Sequence, residues 1–173
     1  MWRTNAQGEA YAYLQGPSDL CSEKDVICNS DGFGTSIDRG SFSFVAGTWN
    51  QVDMVVGLNN PVSSKNGYIA AYYNGALAIN QTGLQIRSDS SVGSIQGMFF
   101  STFFGGSDSS WAPSTNQTTY FKNIQMFASD SASKLVSSSA SPRRSLLGLG
   151  HGVEQWVISA LVLIWGSWVA IFS

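Results

Sequence analysis

Apolar and polar side chains alternate in short runs through the first three quarters of the chain. Val52, Met54, Val56 and Leu58 interleave with Gln51, Asp53, Val55 and Gly57, which predicts a strand with one buried face. Tyr68, Ala70 and Tyr72 alternate with Ile69, Ala71 and Tyr73, and the run stops at Asn74-Gly75, a pair suited to a tight hairpin. Leu77 and Ile79 then open the return strand. Met98, Phe100, Thr102 and Phe104 interleave with Phe99, Ser101 and Phe103, an aromatic strand able to pack on both faces. Tyr120, Lys122, Ile124 and Met126 form a last strand. Short strands, Gly-rich turns and no helical period predict an all-β fold, an antiparallel β-sandwich or jelly roll. Near the start, Glu9, Tyr11 and Tyr13 lie two residues apart, so in a strand they share one surface.

The pattern changes at the end of the chain. Gln155 to Ser173 carries no charged residue, and as a helix it is just long enough to span a bilayer core of about 30 Å. Ser129 to Ser145 is Ser-rich and reads as an extended linker. The division expected is a β domain over 1–128, a linker and spacer over 129–152, and a hydrophobic C-terminal helix over 153–173. Small residues from Ser137 to Ser141, a spacer and an apolar end have the order of a GPI-attachment signal, with Ser139 as the attachment site. A permanent membrane anchor flanked by Arg143 and Arg144 is the alternative. Either one places the protein at the cell surface, attached to a membrane through its C-terminus.

Composition then narrows the chemistry. Nine Lys and Arg against eleven Asp and Glu leave a net charge of −2, which provides no footprint for nucleic acid. Ten Phe, six Tyr and six Trp with few charges exclude a disordered chain. The one histidine, His151, falls in the spacer, so the β domain offers no Ser-His or Cys-His nucleophile. No Gly-rich phosphate loop is present, and no metal or cofactor is expected. Cys21 and Cys28 are too few ligands for zinc and predict a disulfide across a loop. Asn80-Gln81-Thr82 and Asn116-Gln117-Thr118 are glycosylation acceptors in an exported protein. Glu9, Asp38, Asp53 and Asp108 are the carboxylates available for acid-base work. The Glu9, Tyr11, Tyr13 strip has the character of a saccharide-binding surface, because phenol rings stack on sugars while hydroxyls bond to them.

Several segments together carry a resemblance. Met1-Trp2-Arg3, Gly8-Glu9-Ala10-Tyr11-Ala12-Tyr13, Asp38-Arg39-Gly40-Ser41-Phe42, Gly47-Thr48-Trp49, Leu58-Asn59, Tyr73-Asn74-Gly75 and the run from Ser101 to Ala112 resemble, in order, the fungal branch of polysaccharide lyase family 14. The resemblance covers residues 1 to about 128 and implies a concanavalin A-like jelly roll acting on uronate polymers such as alginate or glucuronan. It implies β-elimination, with Tyr11 and Tyr13 matching the family's Tyr-x-Tyr acid-base pair. Arg3, Glu9, Arg39 and Trp111 are the expected substrate contacts. In the family a lysine strand and a Ser-x-Arg pair precede Tyr-x-Tyr. Here Met1 falls after both, which implies a jelly roll incomplete at its N-terminus. Two functions are therefore expected: a cell-surface lyase for acidic, uronate-containing polysaccharide, or a non-catalytic glycan-binding module.

Overall fold

The computed structural model describes residues 3–14, 19–29, 33–102 and 108–129, and the backbone alone of 154–162 and 167–172. Ten strands form its framework: β1 (Ala10–Ala12), β2 (Val26–Ile27), β3 (Thr35–Ile37), β4 (Asn50–Gly57), β5 (Gly67–Tyr73), β6 (Ala76–Leu84), β7 (Gly97–Thr102), β8 (Phe121–Ser129), β9 (Glu154–Val162) and β10 (Ser167–Phe172). Among the described residues there is no α-helix, only short 3-10 turns. All described pairings are antiparallel, in sheets ordered β1-β3-β2, β6-β5-β4-β9-β8 and β10-β7. The all-β, antiparallel expectation therefore holds.

The period-2 pattern sets which residues meet. On β4 and β5, Met54 stands opposite Ala71 and Val56 opposite Ile69, and Ala71 faces Ile79 on β6. This apolar set packs against Ala10 and Ile37 from the small sheet and Leu20 from the 3-10 turn Leu20–Ser22, with Ala12, Leu14, Val26 and Phe42 at its margin. Burial of Leu20, Ile37, Ile69 and Ile79 contributes about 1.5–3 kcal/mol each. The turn between β5 and β6 is the expected hairpin. Asn74 (φ 50°) and Gly75 (φ 84°) are both left-handed, the geometry that matches the twist of the strands they join. Asn59 holds the far end of the large sheet. It is fully buried, its amide donates to the carbonyls of Val62 and Arg87, and its oxygen accepts from the N–H groups of Ile86 and Arg87.

One expectation is not confirmed. The apolar end of the chain, expected as a helix over 153–173, is extended where it is described: β9 lies between β4 and β8, and β10 pairs with β7. The physical reason is twofold. The run is rich in Val, Ile, Trp and Phe, which favour pleated structure. Neighbouring strand edges also satisfy its backbone N–H and C=O groups, which an isolated helix would have to satisfy internally. Among the described residues no helix is long and apolar enough to cross a membrane. Ser139 and the rest of the span 130–153 lie outside the described residues, as do Met1, Trp2 and residues 103–107 of the aromatic segment.

Candidate functional site

The small sheet buries Ala10, Ala12 and Ile37 against the core, so alternation turns Glu9, Tyr11 and Tyr13 to its other face. The register places Tyr11 on β1 directly opposite Ser36 on β3. The segment after β3 turns back along the residues preceding β1. Gly40 N–H donates to the Gly8 carbonyl and Gly8 N–H to the Phe42 carbonyl, both at 2.9 Å. That return brings Arg39 beside Glu9. Arg3, at the start of the short turn Thr4–Ala6, reaches it from the other side.

Glu9 is the centre of the cluster, its side chain only 3% exposed. Arg3 donates through Nε to Glu9 Oε1 at 2.7 Å, and its Nη2 lies 2.6 Å from the same oxygen. Arg39 Nε donates to Oε2 at 2.8 Å, and the Ser36 hydroxyl donates to that oxygen as well. Two guanidinium groups around one carboxylate leave one positive charge in excess. Arg3 and Arg39 are themselves 17% and 27% exposed, so this charge is only partly screened by water.

The tyrosines stand next to this charge. The Arg3 guanidinium carbon lies 5.9 Å from the centroid of the Tyr11 ring, and Tyr11 meets Tyr13 edge to face with centroids 5.8 Å apart. Tyr11 is half-buried, whereas Tyr13 is 73% exposed on the open side. Gly34 makes the seat for the Tyr11 ring, since a Cβ there would lie 2.7 Å from Tyr11 Cε1. Asn29 donates to the Tyr11 hydroxyl at 3.3 Å and to the Gly34 carbonyl at 3.1 Å. The cluster thus combines an excess of positive charge with paired phenols, groups suited to holding an anionic sugar and moving protons on it.

A family model described as Polysaccharide lyase 14 matches residues 1–124. The chain belongs to polysaccharide lyase family 14. No curated protein and no solved structure matches it.

The family 14 chain gathers five of the expected site residues and separates others from them. Tyr11, Tyr13, Arg3 and Arg39 do come together, with Glu9. Glu9 faces the two arginines rather than the open surface, so its place is under the site. Trp111 is exposed on a separate 3-10 turn, Ser109–Trp111, capped by Asp108, whose carboxylate accepts from the Ser110 N–H at 2.8 Å. The hydrogen bonds from the Ser110 side chain and backbone hold the Asp108 carboxyl below its ordinary range. The remaining acids stand elsewhere. Asp53, on β4, accepts from Gln51 at 2.7 Å. Asp38, after β3, is pushed up by burial and by the charges of Asp25 and Glu23, against an opposing hydrogen bond from the Asn80 backbone.

Cys21 and Cys28 are joined as expected. Asn80 on β6 and Asn116 in the loop before β8 both have exposed side chains. Among the described residues no group of three or more His, Cys, Asp or Glu could hold a metal ion. Ser36, Asn29 and Gly34 are the contributors that sequence reasoning missed. Their one local signal is a glycine just ahead of a strand, which often marks a close approach of neighbouring groups.

Proposed function

We propose that this domain cleaves uronate-containing polysaccharide by β-elimination, with Tyr11 and Tyr13 as its acid-base pair. Family membership makes the general kind of activity that of a polysaccharide lyase. The observation that carries the finer reading is the Tyr11–Tyr13 pair beside the positively charged Arg3–Glu9–Arg39 cluster. In this reaction a base takes the C5 proton of a uronate ring. The electrons of that C–H bond form the C4–C5 double bond, the C4–O bond breaks, and the departing oxygen receives a proton. The positive charge lowers the energy of the intermediate by drawing the substrate carboxylate toward it. A phenol serves as proton donor when neutral and as base when a nearby cation favours its ionised form.

We read the sandwich as the concanavalin A-like jelly roll of the family. The disulfide supports a location outside the reducing cytosol. Attachment to a membrane, by lipid at Ser139 with the apolar end removed or by a spanning segment within 153–173, would require β9 and β10 to leave their sheets. A second reading, binding without turnover, is favoured by the engagement of Arg3 and Arg39 with Glu9.

The test is incubation with glucuronan and alginate while following the ultraviolet band of unsaturated uronate. Tyr11→Phe and Tyr13→Phe should each abolish most of the signal. Folded protein that yields no unsaturated product from any uronate polymer would sink the lyase reading. Binding that survives Tyr11→Phe would then support the glycan-binding module.

A further inference from the structure

Asn29 is the residue of the cluster that no catalytic pattern requires, yet it touches the group on which the chemistry depends. It follows Cys28 directly, and β2 just before it is paired to β3 through Val26–Ile37 and Ile27–Ser36. The Cys21–Cys28 bond and this pairing fix where residue 29 leaves the strand. From there the side-chain amide crosses the chain at Gly34, just ahead of β3 and without a side chain, and reaches Tyr11 on β1.

The two contacts use the amide fully as a donor. One N–H goes to the Gly34 carbonyl at 3.1 Å and the other to the Tyr11 hydroxyl oxygen at 3.3 Å. A primary amide has two N–H groups, so none is left to bind a substrate. Because the phenol oxygen accepts from Asn29, the Tyr11 proton is directed away from that bond. The Arg3 guanidinium lies beside the same ring.

We propose that Asn29 is a positioning residue whose amide donates to the Tyr11 hydroxyl and holds it in place, making Tyr11 rather than Tyr13 the base of the pair. The catalytic consequence rests on the lyase reading; the contact itself does not. Two measurements on the full chain separate them. The first is an alkaline ultraviolet titration of tyrosine in wild type, Asn29→Leu and Asn29→Ala, each also in a Tyr11→Phe background. One tyrosine should ionise at higher pH in the Asn29 variants, and the difference should vanish when Tyr11 is Phe. Superimposable curves, or a difference that persists without Tyr11, would overturn the proposal.

The second measurement is turnover of a uronate polymer. Loss of a hydrogen bond to a charged group predicts roughly a tenfold drop in kcat. KM should stay within about twofold, because Asn29 makes no uniform contact to substrate. The rising limb of the pH–rate profile should move toward alkaline pH. An active wild type whose Asn29 variants keep both kcat and profile would overturn the assignment. An inactive wild type would count against the lyase reading, and the titration would still decide the role of Asn29. An intact Cys21–Cys28 bond and an unchanged far-ultraviolet spectrum serve as folding controls, and either substitution alone suffices if the other does not fold.

Discussion

Replacing Glu9 with glutamine removes one negative charge from between two guanidinium groups and hardly changes the volume. Oε1 receives Arg3 Nε at 2.7 Å and Oε2 receives Arg39 Nε at 2.8 Å, together with the Ser36 hydroxyl. An amide has one oxygen. Whichever way it turns, its NH2 group faces a donor, so at least one arginine loses its acceptor. Removing one partner of a buried ion pair costs about 3–5 kcal/mol. Arg3 and Arg39 at 17% and 27% exposure recover some hydration, which favours the lower end, about 3 kcal/mol. For a chain of this size that corresponds to a fall in Tm of roughly 6–12 °C.

The assay is urea unfolding followed by tryptophan fluorescence and circular dichroism, with the slope m expected to stay constant. Salt provides a second reading of the same cause. A pair this buried should lose little of its contribution at high ionic strength, whereas an exposed pair would lose most of it. A midpoint shift worth less than about 0.5 kcal/mol, the range of an ordinary surface substitution, would refute the reasoning. So would a destabilisation that disappears in high salt.

Further outcomes follow from the same geometry. Gly34→Ala should push the Tyr11 ring from its seat, costing about 1–3 kcal/mol by overpacking and as much as roughly 10²-fold in kcat by misplacement, and unchanged kinetics would show that the ring does not depend on that gap. Replacing Cys21 and Cys28 by serine opens a short loop and should cost about 2.5 kcal/mol in urea unfolding, so an unchanged midpoint would contradict the loop-closure account. Asp38 has a carboxyl raised in the folded protein, chiefly by burial, so its contribution to stability is complete below the ordinary carboxylate range and is lost as pH rises through the folded value. Asp38→Asn tolerates the positive φ of 51° and can still accept from the Asn80 N–H. Its stability advantage over wild type should widen from acid to neutral pH, and a constant or shrinking difference would contradict the shift.

What the sequence could show was local. Alternation along residues 52–58, 68–73, 98–102 and 120–126 marked strands that the structure contains, because a pleated strand has a period of two whatever lies around it. Asn74-Gly75 marked its turn for an equally local reason, the ease with which both residues adopt positive φ. The shared face of Glu9, Tyr11 and Tyr13 was legible too, as was the loop closed by Cys21 and Cys28.

Roles within that face were decided by tertiary structure. Arg3 and Arg39 read as free cations for a substrate carboxylate, but the fold points both at Glu9, and the Arg39 contact spans thirty residues of sequence. Ser36 enters because register places β3 against β1, and Asn29 because pairing and the disulfide aim its amide across Gly34. The apolar end of the chain makes the same point in its backbone. Its hydrophobicity could be read directly, but whether its N–H and C=O groups pair within a helix or with β4, β7 and β8 depends on strands far away in sequence. Periodicity determines which side chains share a surface, and only packing determines what that surface meets.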